Sequence, residues 1–270
     1  MYKKIITLLA ITSLSLSAYS DKDLDGVDDS LDQCPNTYFS ELVDMNGCTI
    51  ENLSGEHHFD IIYGLNFTKA DYTTTEKTDT TTQDLQLDYY YRNFSLQIIS
   101  SYYNYNNKTY DKSGMNDLFI AAYYKLSPTN ELTLRFGAGV TIPTYDSLLN
   151  NNNSDYTASM NIGYKLESIN LFAGYSYTII NDDDVAGVAS YQNTNSFTAG
   201  AGFYPQKNLY VSGSYNNSDS IYTNVDTIRT ISLYTFYNID ANWFASFSYS
   251  YGVSDSASDS STSFRVGYYF

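Results

Sequence analysis

From His57 to the last residue, apolar and polar side chains alternate with a period of two, as they do in strands that present one face to an apolar medium. The first such run is Phe59, Ile61, Tyr63, Leu65, Phe67, and the pattern returns over 85–91, 94–102, 118–126, 132–142, 156–164, 169–177, 197–203, 209–215, 231–237, 243–251 and 264–270. These runs predict about twelve strands in an all-β, closed antiparallel transmembrane barrel over 57–270, an even number being the rule for single-chain bacterial barrels. Short connections at 92–93, 127–130, 167–168, 205–208 and around Asp240 alternate with longer ones rich in Asn, Asp, Ser and Thr at 71–82, 104–113, 145–155, 181–195, 216–224 and 254–261. The long set is expected outside the cell and the short set, with both termini, in the periplasm.

A soluble β-sandwich would also alternate, but it would bury its apolar face and leave no hydrated inner one. Here large aromatics stand near strand ends with small aliphatics between them, as in Trp243, Ala245, Phe247, Tyr249, Tyr251 or Tyr156, Ala158, Met160, Ile162, Tyr164. That is the girdle and belt that a bilayer imposes on an outward face. The intervening positions are polar or small, for example Thr133, Arg135, Gly137, Gly139, Thr141. By this parity the inner wall carries Asp60, Asp88, Asp117, Lys125, Arg135, Lys165 and Arg265, opposed charges that could orient a polar solute or could knit a network that fills the barrel.

The N-terminus reads differently. Lys3 and Lys4 precede an apolar stretch from Ile5 to Leu16 that closes on Ala18, Tyr19 and Ser20, the layout of a secretory signal peptide over 1–20. The stretch is too short to span a bilayer. Next, Asp21, Asp23 and Asp25 at alternate positions, Gly26 at the sixth, Val27 at the seventh, Asp29 at the ninth and Asp32 at the twelfth have the offsets of a calcium loop, in which a hard cation takes carboxylate oxygens and one backbone carbonyl. A solvated acidic leader is the alternative. Cys34 and Cys48, the only cysteines, form an even pair in an exported chain, which points to a disulfide worth on the order of 3 kcal/mol; their spacing is not that of a Cys-x-x-Cys redox site.

Three stretches resemble known families. Residues 21–50, an Asp-rich loop running into Cys34-Pro35, resemble a thrombospondin type 3 repeat with one full loop, which implies bound calcium. Val266, Tyr268 and the final Phe270 resemble the terminal strand read by the barrel-insertion machinery, which implies that machinery as a partner. Gly114 to Leu126, followed by Gly137, Gly139, Pro143 and Thr144, resembles a strand pair in outer-membrane proteins linked to aromatic-degradation pathways and implies passage of small organic molecules, although glycines and an inward Asp suit any barrel wall.

Composition narrows the function. The chain has 14 basic and 30 acidic residues, a net charge of −16 that loss of Lys3 and Lys4 would deepen, so nucleic acid is not an expected partner. His57 and His58 are the only histidines, no Ser stands in a Gly-x-Ser-x-Gly motif, and Asp182, Asp183 and Asp184 read as a solvated loop sooner than a metal site, so no catalytic residue is assigned. The expectation is a porin-like passive channel for small solutes, set in outer-membrane lipid, with a calcium-stabilised periplasmic segment. A non-transporting surface barrel whose loops bind a partner is the alternative, and an outer-membrane hydrolase comes third.

Overall fold

In a computed structural model the chain is described at residues 27, 32–34, 37, 43, 57–70, 77–106, 111–144 and 153–270. Its thirteen strands are β1 (His57–Ala70), β2 (Thr78–Tyr91), β3 (Phe94–Asn106), β4 (Asp111–Met115), β5 (Leu118–Leu126), β6 (Leu132–Ile142), β7 (Asp155–Leu166), β8 (Ile169–Ile179), β9 (Thr194–Gln206), β10 (Leu209–Ser218), β11 (Ile228–Asn238), β12 (Trp243–Gly252) and β13 (Ser260–Tyr269). Consecutive strands pair antiparallel, except that β4 and β5 both pair with β3, and β1 pairs with β13 from Asp60 opposite Tyr269 to Lys69 opposite Ser260, which closes the sheet into a barrel. Closure leaves no wall strand with an unpaired edge.

The extra strand comes from one interruption. Both β4 and β5 pair with β3, Met115 opposite Tyr102 and Phe119 opposite Ile99, so the β4/β5 side holds one residue more than its partner. This is a β-bulge at Asn116-Asp117, and the Asn116 amide still donates to the Ser101 carbonyl at 2.8 Å. The bulge reverses side-chain parity, which is why outward Met115 and outward Leu118 stand three residues apart. The wall therefore has twelve strands. Followed from strand to strand, the register climbs by about 14 residues before returning to β1, which for twelve strands corresponds to a tilt of roughly 40° and a wall radius on the order of 11 Å.

The barrel has no conventional core. Among the described residues no large side chain is fully buried, while Tyr63, Leu85, Leu171, Ile231 and Val266 are exposed on the outer face. Such a continuous apolar surface is untenable in water and is what a hydrocarbon layer requires. Aromatics ring both ends of it. At the turn side Phe59 packs on Tyr89 with centroids 4.9 Å apart, and Trp243, Tyr268 and Phe270 stack edge to face at 4.8 and 4.7 Å. Tyr102, Tyr156, Tyr175, Tyr215 and Tyr251 mark the loop side.

Several predicted loops are shorter than expected, because Thr78–Thr82, Asn104–Asn106 and Asn216–Ser218 belong to strands. There the ladder continues beyond the apolar belt, both faces are polar, and alternation no longer signals a strand. Pro205 likewise lies in β9, where the register shifts between Phe203 opposite Val211 and Gln206 opposite Leu209. The two tightest turns hold a non-glycine residue in the left-handed region, Arg92 at φ 51° and Glu167 at φ 46°.

Candidate functional site

The inner wall divides into two unlike parts. On β13, β1, β2 and β3 it is filled by a polar network. Asp84 on β2 receives a 2.6 Å bond from the Arg265 guanidinium on β13 and a 2.7 Å bond from the Asn66 amide on β1. Arg265 also donates to the Gln86 Oε1 at 2.7 Å, and the Gln86 amide donates to Asp88 at 2.6 Å. Gln97 on β3 donates to the other Asp88 oxygen at 3.0 Å and accepts from the Tyr123 hydroxyl on β5 at 3.3 Å. Asp60 stands directly opposite Asp88 and takes a hydrogen bond from Tyr90. Asp60, Asp84, Gln86 and Asp88 are all buried, and the network cross-links five strands, β13, β1, β2, β3 and β5, through side chains alone. Buried charges persist in this way because bonded partners replace most of the water removed, although Asp60 Oδ1 and Arg265 Nε are buried without one.

From β5 to β9 the inner positions are small: Ala121, Gly137, Gly139, Ser159, Gly163, Gly174, Ser176 and Thr198. Three inward aromatics lie flat against the wall and not across the lumen. Tyr123 covers Gly137, where a Cβ would come within 2.6 Å of its ring; Phe119 covers Gly139, where a Cβ would come within 2.8 Å; and Phe172 covers Gly200. A glycine on the adjoining strand is thus what lets each ring fold back. The result is a cavity of about 670 Å³ along this wall. Arg135 borders it with its guanidinium 3.7 Å from the Tyr123 ring centroid, a cation–π contact, and it has no carboxylate partner among the described residues.

Of the inner-wall residues expected from parity, Asp60, Asp88, Arg135 and Arg265 line the lumen. Lys125 and Lys165 have inner parity but sit at the turn-side rim, next to the 127–131 and 167–168 turns. Asp117 keeps the inner phase of β5 but lies in the bulge at the loop-side rim, where its carboxylate accepts from the Thr144 amide at 3.3 Å. Sequence reasoning missed Asp84, Gln86 and Tyr123. Asp84 and Gln86 share the parity of Asp88 within one strand, so that signal was present; nothing marked Tyr123 among 30 tyrosines.

His57 and His58 stack on Tyr91 and Tyr90 at the turn-side rim, and the His57 Nδ1 lies 2.5 Å from the Tyr89 hydroxyl. At the opposite rim Asp184 accepts from the Tyr191 amide and the Ser190 hydroxyl, both at 2.7 Å, which holds its carboxyl below the usual range. Among the described residues no three His, Cys, Asp or Glu side chains are grouped to hold a metal. In the N-terminal segment Asp21, Asp23, Asp25, Asp29 and Cys48 lie outside the described residues. Val27 is buried, and Asp32 accepts from the Cys34 amide at 2.7 Å while its second oxygen is buried without a partner.

No protein-family model matches the chain, and no curated protein matches it. Among solved structures it is similar to the KdgM porin in complex with disordered oligogalacturonate, at 12% identity and a TM-score of 0.51, over 78% of this chain and 98% of the porin. It is similar to the NanC porin at 14% identity and the same TM-score and coverage. These likenesses show the fold. The closed wall and its lipid-facing belt, in a fold shared with outer-membrane barrels, make the chain an outer-membrane-type transmembrane β-barrel.

Proposed function

We propose that the barrel is a passive channel for small solutes, with its path along the β5–β9 wall. The observation that carries this reading is the cavity of about 670 Å³ along that wall, lined by glycine, serine and threonine together with Phe119, Tyr123 and Phe172. Small hydroxyls and glycines leave width and offer exchangeable hydrogen bonds, so a solute can enter and leave without a deep well. The fold shared with porins agrees with it. Swelling of liposomes that contain the refolded chain tests it: influx of small uncharged solutes with exclusion of larger ones is expected, and no influx from folded protein would overturn it.

A second reading rests on the outer loops. Tyr191 forms a β-bridge with Tyr222, the Gln192 side chain donates to the Ser220 carbonyl at 3.0 Å, and the Thr223 amide donates to the Ser190 carbonyl at 2.9 Å. Loops 180–193 and 219–227 thereby brace one another into a platform suited to a protein partner. Loss of partner binding, with influx retained, after trimming 185–189 would identify this as the role.

We further infer that calcium orders the segment before the barrel. The buried, unpartnered Asp32 oxygen supports this, as a cation would satisfy it. The same reading includes release of residues 1–20, a Cys34–Cys48 disulfide and use of Phe270 by the insertion machinery. Calcium-dependent protection of residues 21–50 from protease is the expected result; equal cleavage with chelator would count against it. No catalytic role is assigned to any residue.

A further inference from the structure

We infer that the β5–β9 cavity is a binding site for small monocarboxylates that carry a flat apolar body, with Arg135 as the anchor for the carboxylate. The inference deepens the channel reading by naming its solute class. Three features converge. First, the half-buried Arg265 guanidinium is taken by Asp84 and Gln86, whereas Arg135, which borders the cavity, has no acidic partner among the described residues. A guanidinium stacked on Tyr123 has its fork held in one plane and its N–H groups along the edge, which suits two parallel bonds to a carboxylate.

Second, the same cavity presents flat rings. Phe119 and Phe172 lie back over Gly139 and Gly200 and both border the cavity, so each can offer a ring face to a solute. An apolar aromatic pointing into a lumen has no role in hydrating a path, but it is a platform for a planar apolar body. Third, the acidic groups of the lumen, Asp60, Asp84 and Asp88, are confined to β1 and β2. An anion is repelled from that side and drawn to Arg135, so the transverse field orients a solute that has one charged and one apolar end.

Beside Arg135 stand Thr133 on β6 and Asn161 and Ser159 on β7, which can bond a carboxylate oxygen that Arg135 leaves free. The cavity volume is within the range of sites that take a drug-sized ligand, so a single-ring acid fits with room to move.

Titration calorimetry on the full chain refolded in detergent, with benzoate as probe, decides the inference, and acetate and benzyl alcohol serve as the charge-only and ring-only comparisons. Benzoate should bind at least about tenfold more tightly than either comparison, since each lacks one half of the recognition. R135Q should weaken benzoate about tenfold or more, with R135K intermediate because it keeps the charge and loses the planar fork. F119L together with F172L should weaken benzoate while leaving acetate unchanged. Equal binding of benzoate and acetate, or benzoate binding unaffected by R135Q in protein with normal heat-shifted gel mobility, would overturn the site. Single-channel recording separates the two ideas: benzoate binding without conductance keeps the site and removes the channel reading, and conductance without benzoate binding does the reverse.

Discussion

The two walls of the lumen are made of the same strand geometry and differ only in what stands at the inward positions. On β13 and β1–β3, inward Asp, Gln, Asn and Arg are long enough to meet across strands, and they bond one another until little space or hydration is left. On β5–β9, inward Gly and Ala have nothing to bond, the short Thr side chains bond only an adjacent strand, as Thr157 does Thr178 and Thr198 does Asn216, and Phe119, Tyr123 and Phe172 fold back over glycines. One wall spends its inward residues on cross-linking and the other on space. A barrel of this size can therefore be rigid and open at once, provided the two tasks are kept on different strands.

The contrast breaks most severely if the cross-linked wall loses its cation. Arg265→Met leaves Asp84 buried beside Asn66 alone, and a loss of about 3–5 kcal/mol in unfolding free energy is expected. Replacing Asp84 with Leu in the same chain should recover much of it. Urea unfolding in detergent micelles checks both variants.

A smaller effect is expected on the open wall. Gly137→Val drives the new side chain into the Tyr123 ring, which must turn into the lumen, at a cost of about 1–3 kcal/mol and a reduced ion current. By contrast, Arg135→Gln removes a cation–π contact at the lumen edge and should change stability by no more than about 1–2 kcal/mol while shifting ion selectivity toward cations. Reversal potentials under a salt gradient measure the shift.

Two subtler effects lie at the rims. Glu167→Gly, at φ 46°, should stabilise the barrel by about 1 kcal/mol, seen as a small rise in the urea midpoint. The depressed Asp184 carboxyl contributes loop order that is present above the ordinary carboxylate pKa and lost as pH falls through its lower folded value, so loop 180–193 should loosen below about pH 4. Asp184→Asn should loosen it at neutral pH as well. Hydrogen exchange of the Tyr191 amide, corrected for its intrinsic pH dependence, follows both.

Much of this barrel is legible in the sequence because a bilayer enforces alternation wherever strands touch lipid. Legibility fails where that constraint lifts. Beyond the belt, Thr78–Thr82 and Asn104–Asn106 pair as strands with polar side chains on both faces, so nothing in the pattern distinguishes them from loop. At Asn116-Asp117 one extra residue reverses parity, and the odd spacing of Met115 and Leu118 is its only trace. In the lumen, parity placed Asp60, Asp88, Arg135 and Arg265 but not their partners, since Asp84 and Arg265 lie 181 residues apart and only barrel closure joins them. The glycines of β6 and β9 read as generic wall residues, and their pairing with inward rings becomes visible only with the register.

Single-channel conductance of the refolded chain, measured beside Ser159→Trp, tests the division of the lumen most directly, because residue 159 lies on the open wall and makes no part of the network. Steady ohmic steps in the native sequence and a marked fall with tryptophan at 159 are the predicted result. Silence from folded native protein, or steps of unchanged size in the variant, would contradict an open path along β5–β9.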